Sequence, residues 1–232
     1  MISQRIPGSR AHAAELPVAD ALPALREALA RGRAAVLRAE PGAGKTTLVP
    51  VALLDEPWLA GRKIVMLEPR RLAARAAARR IAWLLGEEVG GVVGHRVRFD
   101  TRVGPRTRIE VVTEGVLTRM LLDDPALDAV GLVIFDEFHE RNLHGDVGLA
   151  LAMESRAVLR PDLALLVMSA TLDGAAVSSH LGGAPCIETA GRVFPVETRY
   201  RPPRRGERLE DAVATVVREA LAADPGDVLV FL

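Results

Sequence analysis

The sequence predicts an α/β fold, a mostly parallel central sheet flanked by helices, and three observations carry that expectation. Apolar, β-branched runs alternate with helical patterns, the order of strand–helix–strand units. The runs are apolar at most positions, as strands covered on both faces require. The chemistry-bearing stretches lie at the ends of these runs, where open parallel sheets bind ligands.

Taken in order, the runs are "AAVLRA" (34–39), "KIVMLE" (63–68), "RIEVVT" (108–113), "GLVIFD" (131–136) and "LALLVMS" (163–169). Helices are expected at about 45–54, 70–85, 114–122 and 143–159. "RPPRRGE" (201–207) reads as a linker. Beyond it, Leu209, Ala212, Val213, Val216, Val217, Ala220 and Leu221 recur at helical spacing, giving an amphipathic helix over about 207–223. "PG" then introduces another strand, "DVLVFL" (227–232). The expected division is an N-terminal extension (1–15), a main domain (16–203) and the truncated opening of a second domain (204–232). No internal repeat is present.

Of the 232 residues 49% are apolar, enough to bury a real core. Lys plus Arg equal Asp plus Glu at 30 each, so net charge alone points to no polyanionic partner. The charges are segregated, however. Residues 62–108 hold 12 basic and 4 acidic residues, and residues 110–146 hold 9 acidic and 2 basic ones. A basic surface beside an acidic, metal-using one fits this pattern, and so do two solvated faces of opposite sign. Cys186 is the only cysteine, so no internal disulfide can form and the cytoplasm is the expected compartment. No apolar run reaches the ~20 residues of a membrane span, so no membrane partner is expected.

"EPGAGKTT" (40–47) follows the first run and opens a helix, the context of a phosphate-binding loop. In such a loop Pro41-Gly42-Ala43-Gly44 and the helix start at Lys45, Thr46 and Thr47 surround the phosphates, chiefly with backbone N–H groups. Lys45 can reach the β and γ phosphates, and the Thr46 hydroxyl can ligate Mg²⁺. Ala39 replaces the first glycine of the consensus, at the end of the strand and ahead of the cradling amides, so a methyl there is a small defect. A nucleotide site also needs a carboxylate for the metal and a group that orients water. "LVIFDEFHER" supplies Asp136 for Mg²⁺, directly or through water, and Glu137 as the base or water-orienting residue, with Glu137 also counted among the metal candidates.

Together with "EPRRLAARAAARRIA" (68–82), "VGHRVRFD" (93–100), "TEGVLTRML" (113–121), "DEFH" (136–139), "SAT" (169–171) and "LPV" (16–18), the loop resembles the ordered motifs of the DEAH-box branch of superfamily 2 helicases. The resemblance covers about residues 16–232. It implies the first RecA-like P-loop NTPase domain of an ATP-dependent RNA helicase, with ATP or another NTP and Mg²⁺ as cofactors. It puts RNA contacts, mostly to the RNA backbone, on Arg70, Arg71, Arg98, Phe99 and Thr113. It makes Ser169 and Thr171 couplers of hydrolysis to RNA grip, and has His139 bond to the second domain across the nucleotide cleft. It suggests that Arg80 stacks on the adenine base, with a solvated helix face as the alternative; Arg75 and Arg79 read as such a face. The family's motifs IV, V and VI find no match in these 232 residues. A second RecA-like domain and C-terminal domains are therefore expected in cis, and this chain alone is expected to bind nucleotide weakly and hardly hydrolyse it. Aromatic residues make up 3% of the chain, so base stacking on aromatic platforms is not expected to dominate RNA binding. Trp58 and Trp83 read as core or helix-packing residues. Rival readings are a P-loop ATPase acting on DNA or protein, and a nucleotide-binding module without turnover.

Overall fold

The computed structural model describes residues 16–171, 174–191, 195–203, 205–224 and 226–231; the 1–15 extension lies outside them. Its strands are β1 (Ala34–Ala39), β2 (Lys63–Leu67), β3 (Val93–Val97), β4 (Asp100–Arg102), β5 (Ile109–Val112), β6 (Val130–Phe135), β7 (Ala164–Ser169) and β8 (Cys186–Thr189). Its helices are α1 (Leu22–Gly32), α2 (Lys45–Leu53), α3 (Arg71–Leu84), α4 (Glu114–Asp123), α5 (Leu143–Val158), α6 (Gly174–His180) and α7 (Leu209–Ala223). The strands form one sheet in the order β4-β3-β5-β2-β6-β7-β1-β8, parallel throughout except for the β3–β4 pair. The α/β class with a mostly parallel sheet is thus realised.

The five apolar runs became β1, β2, β5, β6 and β7, the interior of the sheet. The strands not read from sequence, β3, β4 and β8, are "VGHRV", "DTR" and "CIET". β4 and β8 are the sheet edges, and β3 lies next to one. An edge needs less burial, so its sequence carries no continuous apolar signal.

Side chains of successive strand residues point to opposite faces, so each strand feeds two cores. Leu37, Ile64, Met66, Ile134 and Leu166 meet Leu25 and Leu29 of α1, Leu48 and Leu53 of α2, and Ile81 of α3. Val36, Val65, Val133, Phe135 and Leu165 meet Leu117 of α4, Leu149 and Ala152 of α5, and Val177 of α6.

The chain divides into two compact units, Met1–Arg192 and Val193–Leu232. In the second, α7 carries Leu209, Val213, Val216 and Val217 along a groove that Val228–Phe231 also lines. Arg201 ties the segment before the helix to it through Glu219, at 3.4 Å. The strand expected over 227–232 is not formed in its described part. Among the described residues no strand pairs with it, and an extended segment becomes a sheet strand only beside a partner.

Arg160 closes the end of the sheet from which β6 and β7 start. Its guanidinium, buried, donates to the carbonyls of Ala126 (2.8 Å), Leu127 (3.0 Å) and Val130 (3.1 Å). It also grips Asp162 with two bonds, at 2.8 and 3.0 Å. Arg160→Ala leaves those carbonyls unpaired and is expected to cost roughly 2 to 3 kcal/mol. Arg160→Lys should recover little, because one ammonium cannot reproduce the planar fork. Urea unfolding of the three proteins measures both differences.

Candidate nucleotide-binding and catalytic site

The phosphate loop joins β1 to α2. Gly42 and Gly44 sit at φ 79° and 90°, a left-handed backbone that glycine adopts without strain. A side chain on Gly44 would also strike Leu16, whose Cδ1 lies 2.7 Å from the position a Cβ would take. The "LPV" segment thereby roofs the loop, and the Val18 N–H donates to the Ala43 carbonyl at 3.1 Å. Ala39 is a buried strand residue in register with Thr189. It occupies extended backbone, so the missing first glycine costs the loop nothing.

Lys45 is 4% exposed, and its Nζ lies 3.0 Å from Glu137 Oε1. Thr46 Oγ1 donates to Asp136 Oδ2 at 2.5 Å, and Asp136 Oδ1 accepts from the Glu137 N–H at 2.8 Å. The phosphate loop and the acidic pair, 91 positions apart for Lys45 and Asp136, therefore meet directly. They meet because β1 and β6 flank β7 and all three run parallel, ending on the same side of the sheet. Glu137 itself sits at φ 49°, a left-handed conformation that turns its side chain away from the strand direction and toward Lys45.

A third carboxylate was missed. Glu68, the last letter of "KIVMLE", is buried and hydrogen-bonded to Asp136. No local sequence signal marks it: β2 neighbours β6 with Leu67 opposite Phe135, and only that pairing makes residues 68 and 136 leave the sheet side by side. Burial, reinforced by the charges of Asp136 and Glu137 and opposed by Lys45, pushes the Glu68 carboxyl up to about 9. Burial likewise raises Asp136, against the Thr46 hydrogen bond. Carboxylates that resist ionising together mark a place where added positive charge is favourable. Among the described residues no three acidic or imidazole groups are arranged to hold a metal by themselves. The donor set fits a hard cation held by Thr46 and Asp136 and completed by phosphate oxygens and water, as Mg²⁺ prefers. Glu137 faces Lys45 instead.

His139 lies on a short 3-10 turn, Phe138–Glu140, with Nδ1 3.3 Å from Glu137 Oε2 but off the line of a hydrogen bond. Ser169, buried at the end of β7, accepts from the Thr171 N–H at 3.3 Å. The anticipated RNA residues gather around α3 and the β3–β4 hairpin. Arg71 donates to the Arg98 carbonyl at 3.0 Å, Arg98 stacks on Phe99 at 4.7 Å, and Phe99 is 87% exposed. Thr113 is the residue before α4, and its N–H reaches the Arg96 carbonyl at 3.4 Å. Arg70 is paired with Glu140, at 3.2 Å.

Two expectations for α3 need correcting. Arg75 is no freely solvated side chain; it is half-buried against Asp100 at 2.8 Å, and Asp100 also takes His95 at 3.1 Å. Trp83 is no core residue, being 59% exposed with Arg80 stacked on its ring at 4.3 Å. At 100° per residue Arg75 lies at the edge of the buried face of α3, where the β3–β4 hairpin covers it through Asp100, and Trp83 lies opposite that face.

A family model described as DEAD/DEAH box helicase matches residues 20–179. The chain is 52% identical over 217 residues to the ATP-dependent RNA helicase HrpB of Escherichia coli, covering 94% of this chain and 27% of that protein. It is 38% identical to the pre-mRNA-splicing factor ATP-dependent RNA helicase prp22 of Schizosaccharomyces pombe, covering 94% of this chain and 19% of that one. The crystal structure of Escherichia coli DEAH/RHA helicase HrpB superposes with a TM-score of 0.83 at 51% identity, over 91% of this chain and 27% of that chain. The chain thus spans about a quarter or less of the length of these relatives. No described helix is long and apolar enough to cross a membrane.

The carboxylate cluster predicts a pH dependence. Folded, Glu68 holds its proton up to about 9, against 4.5 unfolded, so across that window the folded chain carries more protons. Stability from this group is full at the acid end and falls as pH rises through the window. Glu68→Gln, which keeps the shape and a donor toward Asp136, should flatten that slope in metal-free buffer. Thermal melts of both proteins in EDTA, from pH 5 to 9, measure the difference.

Proposed function

The chain belongs to the DEAD/DEAH box helicase family, and from that premise we propose that it is the nucleotide-binding and hydrolysing motor domain of an ATP-dependent RNA helicase. The observation that carries the proposal is the meeting of Lys45 and Thr46 with Asp136 and Glu137 at one end of the sheet. The loop amides and Lys45 hold the phosphates. Thr46 and Asp136 would hold Mg²⁺, which when bound neutralises charge on the phosphate oxygens. Glu137 then orients and deprotonates the attacking water. Lys45 is its partner, so an arriving γ-phosphate, by taking the ammonium, would also release the base. His139, beside Glu137, relays the state of the site outward, as do Ser169 and Thr171 on the neighbouring strand end.

Arg70, Arg71, Arg98, Phe99 and Thr113 form the proposed RNA face, chiefly for backbone phosphates, which guanidinium forks suit. Binding there is expected to be salt-sensitive and nearly blind to sequence. Arg80 is the proposed contact for the base. Arginines for the γ-phosphate are assigned to a second RecA-like domain, and residues 204–232 to its opening; the greater length of the relatives supports both. The cytoplasm is the proposed location.

The test is ATP hydrolysis by this chain and by a protein extended through the second domain, each with RNA, DNA or neither. RNA-specific stimulation of the extended protein supports the proposal. Stimulation by DNA alone favours a DNA motor, and lack of turnover in the extended protein favours a binding module.

Lys45→Ala removes the one buried cation at the site and should weaken Mg·ATP binding roughly 10- to 100-fold, measured by calorimetry. Glu137→Gln should keep that affinity, or improve it because Lys45 loses its competing partner. In the extended protein it should lower turnover about 10²- to 10⁴-fold, measured in single-turnover assays.

A further inference from the structure

A cleft of about 440 Å³ opens beside the phosphate loop. Thr46, Thr47 and Arg80 line it, and α3 adds Ala73, Ala76 and Ala77. These residues recur on one face of the helix at the i, i+3/i+4 spacing, and their small side chains leave room for a flat ring. Arg80 continues the face. Its Cζ lies 4.3 Å from the centroid of the Trp83 ring, one turn further along α3. Among the described residues no carboxylate pairs with Arg80, so the indole is what orders it. Arg80 lines the cleft and Trp83 does not, so the indole backs the guanidinium from outside.

A guanidinium is planar and can stack on both faces. One face here is taken by tryptophan, the strongest cation–π partner, which leaves the other for a second π system. We propose that Trp83 is a positioning residue for the nucleobase: it holds Arg80 flat so that the guanidinium stacks on the base of a nucleotide whose phosphates sit on Lys45. The proposal rests on the phosphate-loop reading above. An unsupported Arg80 would sample many rotamers and lose that entropy on binding; stacked on Trp83 it is already ordered. A guanidinium meets a base through the π face that every base has and reads no base edge. Purine and pyrimidine nucleotides should therefore depend on Trp83 alike.

The test compares Mg²⁺-dependent affinities for ATP, UTP and inorganic triphosphate in the present chain and in Trp83→Ala, Trp83→Phe, Arg80→Ala and Lys45→Ala. With two tryptophans in the sequence, a Trp58→Phe background lets emission report on Trp83 alone. Trp83→Ala should weaken ATP and UTP about two- to fivefold, the range of an exposed cation–π contact, and leave triphosphate unchanged. Trp83→Phe should restore most of the loss, and Trp83→Ala should add nothing once Arg80 is alanine. ATP should change Trp83 emission and triphosphate should not. An equal loss for triphosphate and ATP would make Trp83 a merely structural residue, and unchanged ATP affinity would remove any role; either overturns the proposal. Triphosphate binding that survives Lys45→Ala would overturn the phosphate-loop reading, and this inference with it.

Discussion

The ion pair between Lys45 and Glu137 holds a buried ammonium 3.0 Å from a carboxylate, with Asp136 and Glu68 close behind. An ammonium so placed costs several kcal/mol to desolvate unless anions surround it, and the carboxylates are equally costly without it. Each therefore needs the other, and the arrangement leaves an imbalance, since three carboxylates face one cation. Thr46 and the Glu137 N–H relieve part of it by donating to Asp136. A protonated Glu68 relieves more. The remainder favours added positive charge, which the proposed Mg²⁺ would supply. Incoming triphosphate would bring further negative charge, so under that proposal nucleotide and cation should bind together.

That cluster exists only because the parallel sheet delivers its members to one end. β2, β6, β7 and β1 are consecutive in the sheet, and Glu68, Asp136, Ser169 and the phosphate loop stand at or just beyond their carboxyl ends. The cores on the two faces fix the register: a slip of one residue would turn every strand side chain to the wrong face. Packing far from the site thus sets distances within it. Leu16 shows the same dependence at closer range, since its contact with Gly44 ties the segment before α1 to the phosphate loop.

α3 serves two sides at once. Its first residue, Arg71, reaches the β3–β4 hairpin, and Arg75 pins the same hairpin through Asp100, whose carboxyl is held below its usual range chiefly by the His95 hydrogen bond. The face bearing Ala73, Ala76, Ala77 and Arg80 lines the cleft by the phosphate loop. Arg70, just before the helix, pairs with Glu140 of the turn that follows Glu137. A phosphate arriving at Arg70 would compete with Glu140, which would link the proposed RNA face to the turn that follows Glu137.

Much of this was legible in the residues. Continuous apolar runs located the interior strands, because a strand buried on both faces must be apolar nearly throughout. The phosphate loop and the acidic pair were legible because each is local: a turn, a lysine, a strand end. The edge strands β3, β4 and β8 were not, since an edge imposes weak demands on composition. Nor was Glu68, which looked like the polar end of a run until the pairing of β2 with β6 put it against Asp136. Of the two readings of Trp83, core or helix-packing, the structure excludes the first: an aromatic on an amphipathic helix is usually core, and here it stays outside with a guanidinium stacked on it. What the sequence determined is the set of groups that can do the chemistry; only the tertiary structure decided which are neighbours. Proximity across 91 positions is set by sheet order, and sheet order depends on packing that no local stretch of sequence contains.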